Sequence, residues 1–158
     1  MENIWAPWRI NYVTQKKFAK CIFCSSYKSQ NDKKNFVLLR SNECFVMLNI
    51  FPYNNGHLMI APNRHIAEFK ELTKAEIIDI HQTSSKILSI LEKALKPDGF
   101  NIGINIGRAA GAGIVSHLHI HIVPRWVGDT NFMPIISNTK VISQSLVDLY
   151  NLLKKELK

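Results

Sequence analysis

Three of the six histidines of this 158-residue chain fall at alternate positions of one short apolar run, HLHIHIVPRW at residues 117–126. On a β-strand alternate side chains point to the same face, roughly 6–7 Å apart, so the three imidazoles are expected to form a row. Leu118, Ile120 and Ile122 would then enter the core from the other face. Such a row suits two chemistries: binding a metal ion, or attack by one neutral imidazole while its neighbours donate protons to an anion.

A glycine-rich segment, GINIGRAAGAG at residues 103–113, lies directly upstream of the histidine row. Glycine lets backbone N–H groups approach phosphate oxygens closely, as in an anion-binding nest. Glycine-rich turns between strands are common, so the segment alone is a weak signal. Its position next to a row of imidazoles favours attack on phosphorus.

The segment CIFC at residues 21–24 is a Cys-x-x-Cys pair, which could be a redox pair, two ordinary thiols or half of a metal site. A structural zinc ion takes four ligands, and Cys44 is the only further cysteine, so histidines would have to complete such a site. Three cysteines are too few, and odd in number, for a disulfide framework. We therefore expect a reducing compartment and a cytoplasmic protein.

The remaining sequence predicts an α+β domain that holds these groups in place. β-Rich segments separated by turn residues predict five strands, at residues 36–40, 43–50, 57–62, 100–107 and 117–124. A capping box, TKAE, begins a helix at residues 73–96, and a second amphipathic helix occupies about residues 141–157. The expected architecture is an antiparallel sheet with helices packed on one side, in a single domain over residues 1–158.

The net charge of +8 and the isoelectric point near 9.5 suggest anionic partners. Many of the lysines are scattered along the chain, however, and solvated surface lysines also account for the charge. Charge alone does not choose between these readings. The longest apolar runs are far below the length of a membrane helix and no secretory leader opens the chain, so we expect no membrane partner.

The run HLHIHIVPR resembles the signature of the histidine triad superfamily, His-x-His-x-His with hydrophobic residues between. The resemblance covers about residues 20–126, the expected core of the domain, with a C-terminal extension and helix at residues 127–158. It includes LNIFPYNNGHLMIAPNRH and FNIGINIGRAAGAG, and PRWVGDTNFMP at residues 124–134 is similar to the bacterial branch of diadenosine tetraphosphate phosphorylases. The resemblance implies the histidine-triad fold and nucleotidyl transfer on dinucleoside polyphosphates, with phosphorolysis of diadenosine tetraphosphate giving ADP and ATP.

The resemblance also implies roles for individual residues. His119 would be the nucleophile that attacks the α-phosphorus and becomes nucleotidylated, and His121 would hydrogen-bond phosphate or leaving-group oxygens. Asn49 matches a position that binds ribose, and His57 a position that supports the triad. The residues that match the phosphate-binding segment are Asn105, Gly111, Ala112, Gly113 and Ile114.

The chain departs from the hydrolase branch at two positions, where Gly113 and Ile114 replace the usual Gln and hydroxyl residue. Because two polar phosphate contacts are missing, the acceptor of the second step is open between water and inorganic phosphate. Hydrolysis would give AMP and ATP. A nucleoside phosphoramidase with the same His119 chemistry is a further alternative. A zinc-stabilised nucleotide-binding module is another, although it would have no need of His119.

Zinc-bearing members of the superfamily imply a structural zinc ion with the ligands Cys21, Cys24, His65 and His117. Histidine triad proteins are typically homodimers, and the helix at residues 73–96 supplies a physical reason to expect one here. Its apolar residues spread wider than a single stripe: Ile77, Ile78, Ile87, Leu88, Ile90 and Leu91. A two-fold interface would form from this helix and the neighbouring strand.

Overall fold

A computed structural model describes residues 21–29, 31–130, 136 and 141–157 of the chain. Its five strands are β1 (Val37–Arg40), β2 (Cys44–Leu48), β3 (Leu58–Pro62), β4 (Gly99–Ile104) and β5 (Ile120–Arg125). Its helices are α1 (Ile22–Lys28), α2 (Lys74–Leu95) and α3 (Leu146–Glu156), with a 3₁₀ turn at Phe69–Glu71. The strands form one antiparallel sheet in the order β1-β2-β3-β5-β4, so the α+β prediction is confirmed.

The register of the strands divides the sheet into two faces. One row of directly paired residues crosses all five strands: Val37, Met47, Met59, His121 and Gly103. Paired residues share a face, and the three hydrophobic members of this row, Val37, Met47 and Met59, pack around Phe23 of α1. His121 therefore lies on the α1 face of the sheet.

The opposite face carries the larger core, which α2 and α3 cover. Ile60 and Ile120, paired across β3 and β5, are buried there with Ile87 and Leu91 of α2. The buried residues of α3 join the same core: Leu149, Tyr150 and Leu153. Helix α2 begins as predicted, because the Thr73 side chain accepts from the N–H of Glu76 while Glu76 reaches back to the N–H of Thr73.

One helix was not predicted, and two predicted elements begin later in the structure. Helix α1 was not expected, and because it lies on the face opposite α2 and α3, the helices cover both sides of the sheet instead of one. The last strand begins at Ile120, so His117 and His119 precede it. The C-terminal helix begins at Leu146 and not near residue 141, because the Ser145 side chain caps it by accepting from the N–H of Asp148.

Most of the apolar side chains of α2 are buried within the chain itself. Ile87, Ile90 and Leu91 are buried, and Leu88 packs against the same core. Only Ile77 and Ile78 remain exposed, at 48% and 57%. The expectation that these six apolar residues form a dimer interface is therefore wrong for four of them, because they are buried within the chain between α2, α3 and the sheet.

Candidate active site and metal centre

Two cysteines and two histidines from three separate segments meet on the α1 face of the sheet. The thiol and imidazole atoms of Cys21, Cys24, His65 and His117 all lie within 4.8 Å of one another. Cys24 Sγ lies 3.1 Å from His65 Nδ1 and 3.6 Å from His117 Nδ1, and the two Nδ1 atoms are 3.2 Å apart. Tetrahedral zinc with ordinary bond lengths would hold N···N pairs about 3.3 Å apart and S···N pairs about 3.5 Å apart. The spacing of the four groups therefore fits one tetrahedral metal ion.

The contacts around His117 leave one of its ring nitrogens free, and those next to His65 hold its segment in place. His117 Nε2 lies 3.0 Å from the carbonyl oxygen of Pro62. That oxygen can only accept, so Nε2 carries the proton and Nδ1 keeps its lone pair for a metal. His65 follows Arg64, whose guanidinium holds the buried Glu76 carboxylate at 2.7 and 2.8 Å. This Arg64 contact lowers the pKa of Glu76 to about 2 and ties the His65 segment to the start of α2.

Helix α1 brings the cysteines to the site although seven residues are too few for an isolated helix to be stable. Its C-terminal end is held by Arg40 of β1, which donates to the carbonyls of Ser26, Tyr27 and Ser29. Arg40 also pairs with Asp32 at 2.6 Å. Its N-terminal end has no side-chain cap, and Cys21 and Cys24 of the four-residue cluster lie there.

His119 presents a nucleophilic nitrogen. Its Nδ1 lies 2.9 Å from the carbonyl oxygen of His117, so Nδ1–H donates and Nε2 keeps a lone pair. The side chain is 4% exposed, and this burial lowers its pKa, which keeps the ring neutral near pH 7. A neutral imidazole with a free Nε2 can attack phosphorus.

His121 has the opposite tautomer, and a backbone amide determines it. The N–H of Tyr53 donates to His57 Nδ1 at 3.0 Å, so His57 carries its proton on Nε2. That Nε2–H donates to His121 Nδ1 at 2.9 Å, which leaves the proton of His121 on its own Nε2. Burial, with the neighbouring histidines, lowers the pKa of His57 to about 3 and that of His121 to about 4. His121 can therefore donate a hydrogen bond to an anion while His119, in contact with it, offers a lone pair.

The turn that carries His57 is held tightly. Gly56 has a φ of +78°, and a Cβ on it would lie 2.7 Å from Leu95 Cδ1 and 2.8 Å from Pro124 Cγ. Only glycine fits both this conformation and this space. The turn is thereby fixed between the end of α2 and β5, one residue before His57.

Asn49 lies beside His57, as the order of the strands requires. Its Oδ1 accepts from the N–H of Phe51 at 2.9 Å, and its Nδ2 is 3.4 Å from His57 Nδ1. Asn105 follows β4, and its side-chain nitrogen would lie 3.9 Å from a Cβ on Gly111. Both predicted substrate-binding asparagines therefore border the segments that carry the histidines and the glycine loop.

Of the four backbone amides predicted to bind phosphate, at residues 111–114, two are free in the glycine loop. Gly107 and Gly111 both have positive φ, and the N–H groups of Gly111 and Ala112 close the turn by donating to the carbonyls of Arg108 and Gly107. Within the described part of the chain, the N–H groups of Gly113 and Ile114 donate to no protein acceptor. Those two amides are the ones left for an anion next to the histidines.

Sequence reasoning missed two aromatic residues at the site. Phe23 is fully buried and its ring lies 5.1 Å from that of His117 and 4.9 Å from that of His119. Tyr53 packs its ring on those of His57 and His121, at 4.6 and 5.8 Å. Phe23 could have been noticed from its place inside CIFC, whereas the contact of Tyr53 has no signal in the sequence.

The comparisons with known proteins agree with this geometry. Residues 30–127 match the family model described as the HIT domain. An AP-4-A phosphorylase of Mycobacterium tuberculosis is 35% identical over 164 residues, which cover 99% of this chain and 84% of that protein. A bis(5'-adenosyl)-triphosphatase of Dictyostelium discoideum is 37% identical over 81 residues, covering 51% of this chain and 54% of that protein.

The fold has a counterpart among solved structures. The crystal structure of a Zn-bound histidine triad family protein from Mycobacterium smegmatis superposes with a TM-score of 0.68 at 23% identity. The superposition covers 87% of this chain and 93% of that one. None of the helices in the described residues has the length and apolar character needed to cross a membrane.

Proposed function

The chain belongs to the HIT domain family, and from that premise we propose that it transfers a nucleotidyl group from a dinucleoside polyphosphate, by way of His119, to inorganic phosphate. With diadenosine tetraphosphate the products would be ATP and ADP. The similarity to an AP-4-A phosphorylase, which extends over 99% of the chain, supports this reaction.

The observation that carries the proposal is the pair of opposite tautomers at His119 and His121. In the first step His119 Nε2 bonds to the α-phosphorus, and the bond from that phosphorus to the bridging oxygen breaks. His121 Nε2–H donates to the phosphate or to the departing oxygen, which offsets its developing charge. ATP leaves, and the nucleotidyl group stays on His119. In the second step an oxygen of inorganic phosphate attacks the same phosphorus, which releases ADP and restores the lone pair of His119.

The same reaction assigns roles to the residues that would bind the substrate. The free amides of Gly113 and Ile114, with the Asn105 side chain, would hold the phosphate, and Gly111 and Ala112 would shape the turn. Asn49 would bind the ribose, and His57 would hold His121 in its donor tautomer. Gly113 and Ile114 carry no polar side chain, so these two residues can bind an acceptor only through their backbone N–H groups.

A hydrolase is the second candidate, because a bis(5'-adenosyl)-triphosphatase is similar over 51% of this chain and the first step of hydrolysis has the same chemistry. One experiment separates the alternatives: incubation with diadenosine tetraphosphate in buffers with and without phosphate, followed by resolution of the products. ADP that appears only with phosphate supports the phosphorylase. AMP in both buffers supports a hydrolase. No turnover in either buffer contradicts both and leaves a nucleotide-binding module.

We further propose that the four-residue cluster of Cys21, Cys24, His65 and His117 holds a structural zinc ion. The tetrahedral spacing supports this, as does the Zn-bound relative of the same fold. The ion would supply no step of the reaction; it would bind the start of α1 to the segment that leads into β5. Two thiolate ligands need a reducing compartment, which supports the cytoplasm as the location.

Residues 1–158 are proposed to form a single domain with a core at about residues 20–126. Helix α3 supports this, because it packs on α2 and donates from the Tyr150 hydroxyl to the carbonyl of Val37 at 3.2 Å. The homodimer also remains a proposal. Within the residues that the structure describes, strand β4 is at the edge of the sheet, and Ile102 on it and Ile106 just after it are about half exposed, at 51% and 54%. An unpaired edge with exposed apolar residues is suited to a second copy of the chain.

A further inference from the structure

Phe23 connects the metal cluster to the proposed nucleophile. It lies between the two cysteines in the sequence, in the first turn of α1, and no part of its side chain is exposed. Its ring contacts the imidazole of His117, a member of the cluster, and that of His119, which is not. Among the described residues, it is the only aromatic residue other than a histidine whose ring contacts that of His119.

The hydrogen bond of His119 leaves the plane of its ring incompletely held. One donor at Nδ1 fixes a single direction, and the χ2 torsion of histidine is broad. The ring lies 4.9 Å from that of His121 in a T-shaped contact at 71°, and 4.9 Å from that of Phe23 in a tilted contact at 36°. Without Phe23 the imidazole could rotate about χ2 and lose its hydrogen bond to His117, so that neither its Nδ1–H tautomer nor the direction of its Nε2 lone pair would be fixed.

We propose that Phe23 is a positioning residue that holds the His119 imidazole in its reactive orientation, and that it does so only while the four-residue cluster holds the start of α1 in place. The expected effect on turnover rests on the proposed function, whereas the expected orientation of the His119 ring does not.

The way α1 is anchored explains why the metal would matter to a ring that it does not touch. Arg40 secures the C-terminal end of α1 by protein contacts alone. The N-terminal end, where Phe23 lies, has no side-chain cap and would be secured by Cys21 and Cys24 through the metal. Removing the metal would therefore leave the end of α1 that carries Phe23 held by apolar packing, without its cysteine anchors.

The test compares Phe23→Leu with Phe45→Leu in the full chain purified with its metal. Phe45 is a matched control, because it is equally buried in the same cluster and, among the described residues, its ring pairs with those of Phe23 and Tyr27 and with no imidazole. Four quantities are measured: metal per chain, melting temperature, kcat and KM, and the ¹⁵N chemical shifts of His119, which report its tautomer. The wild type treated with a chelator is measured by the same ¹⁵N experiment.

We expect both variants to bind metal and to melt lower by similar amounts. Only Phe23→Leu should lower kcat, by roughly 10- to 100-fold because a misplaced reacting group costs about that much, with KM little changed. Only Phe23→Leu and the chelated wild type should lose the single Nδ1–H tautomer of His119. If the leucine variant does not fold, Phe23→Met fills most of the same volume with a flexible side chain and takes its place.

Equal losses of kcat in the two variants would overturn the proposal, since they would indicate general loss of core packing. An unchanged His119 spectrum in Phe23→Leu, or after chelation, would overturn it as well. If the wild type turns over no dinucleoside polyphosphate, the proposed function fails, and the ¹⁵N spectra still decide whether Phe23 holds the ring.

Discussion

Acidification should destabilise this protein through two buried histidines of the site. His57 is 1% exposed and His121 is 9% exposed. Burial is the main cause that lowers the pKa of His57 from 6.5 to about 3 and that of His121 to about 4. In the unfolded chain both rings are solvated, so they take up protons near the ordinary pKa.

The sign of the effect follows from this difference. Above pH 6.5 both rings are neutral in the folded and unfolded states, and their contribution to stability is fully present. As the pH falls from 6.5 towards 4, the unfolded state binds protons that the folded state does not, and stability is lost. Between pH 6.5 and pH 5, each histidine lowers the free energy of unfolding by about 1.36 kcal/mol per pH unit. Over this interval of about 1.5 pH units the loss is about 2 kcal/mol for each histidine and about 4 kcal/mol for the two together. That is a large part of the roughly 5–15 kcal/mol that stabilises a typical domain.

The assay is urea unfolding at pH 7 and pH 5 for the wild type, His57→Gln and His81→Gln. Glutamine at position 57 can still donate to His121 Nδ1 but does not titrate, so the loss between the two pH values should be about 2 kcal/mol smaller than in the wild type. His81 is exposed on α2, away from the triad, and its variant should behave as the wild type does. Acid also weakens metal binding, but equally in all three proteins. If the wild type and His57→Gln lose the same stability, the account of the buried histidines is wrong.

Three further predictions follow from the site and the fold. His119→Asn and His119→Ala should lose all measurable turnover in steady-state assays while circular dichroism and nucleotide binding stay near wild type, because the covalent path is gone; a tenth of the wild-type rate would refute the nucleophile. Cys24→Ser should bind less than half an equivalent of zinc and melt at a lower temperature than Cys44→Ser, because Cys44 lies apart from the cluster and its thiol donates to the Thr83 hydroxyl. Equal metal content and equal melting temperatures in the two variants would contradict the ligand set. Light scattering should give twice the chain mass of 18.1 kDa, with Ile102→Lys shifting β4-mediated dimers to monomers; a fully active wild-type monomer at micromolar concentration would exclude the dimer.

The parts of the fold that the sequence predicted are those with strong local signals. The capping box at Thr73 and Glu76 and the apolar spacing of α2 needed no tertiary information. Helix α1 had no such signal, since it is seven residues long, has no side-chain cap, and depends on Arg40 from a distant strand. The alternation of HLHIHI is real, but the ladder begins only at Ile120. Before it, the carbonyl of His117 accepts from His119 and the N–H of Leu118 donates to Ile66, so neither group bonds to a neighbouring strand.

The residue types of the site could be predicted from the sequence, whereas the protonation of each imidazole nitrogen could not. Spacing brought His117, His119 and His121 into one group, and the residue types suggested a nucleophile and a donor. Which nitrogen carries each proton depends on the carbonyl of His117 and on the N–H of Tyr53, and contacts to backbone atoms leave no trace in residue types. The same holds for the glycine loop, where the turn itself uses two of the four amides.

The central claim is a covalent bond between a nucleotidyl group and His119, and trapping that intermediate tests it most directly. The protein is mixed with diadenosine tetraphosphate in phosphate-free buffer and quenched within milliseconds in alkaline denaturant, because phosphoramidates are labile in acid. Intact mass spectrometry and peptide mapping should find one nucleotidyl group per chain, on His119, absent from His119→Asn and discharged as ADP when phosphate is added before the quench. Turnover without such an adduct, or an adduct on another residue, would contradict the account.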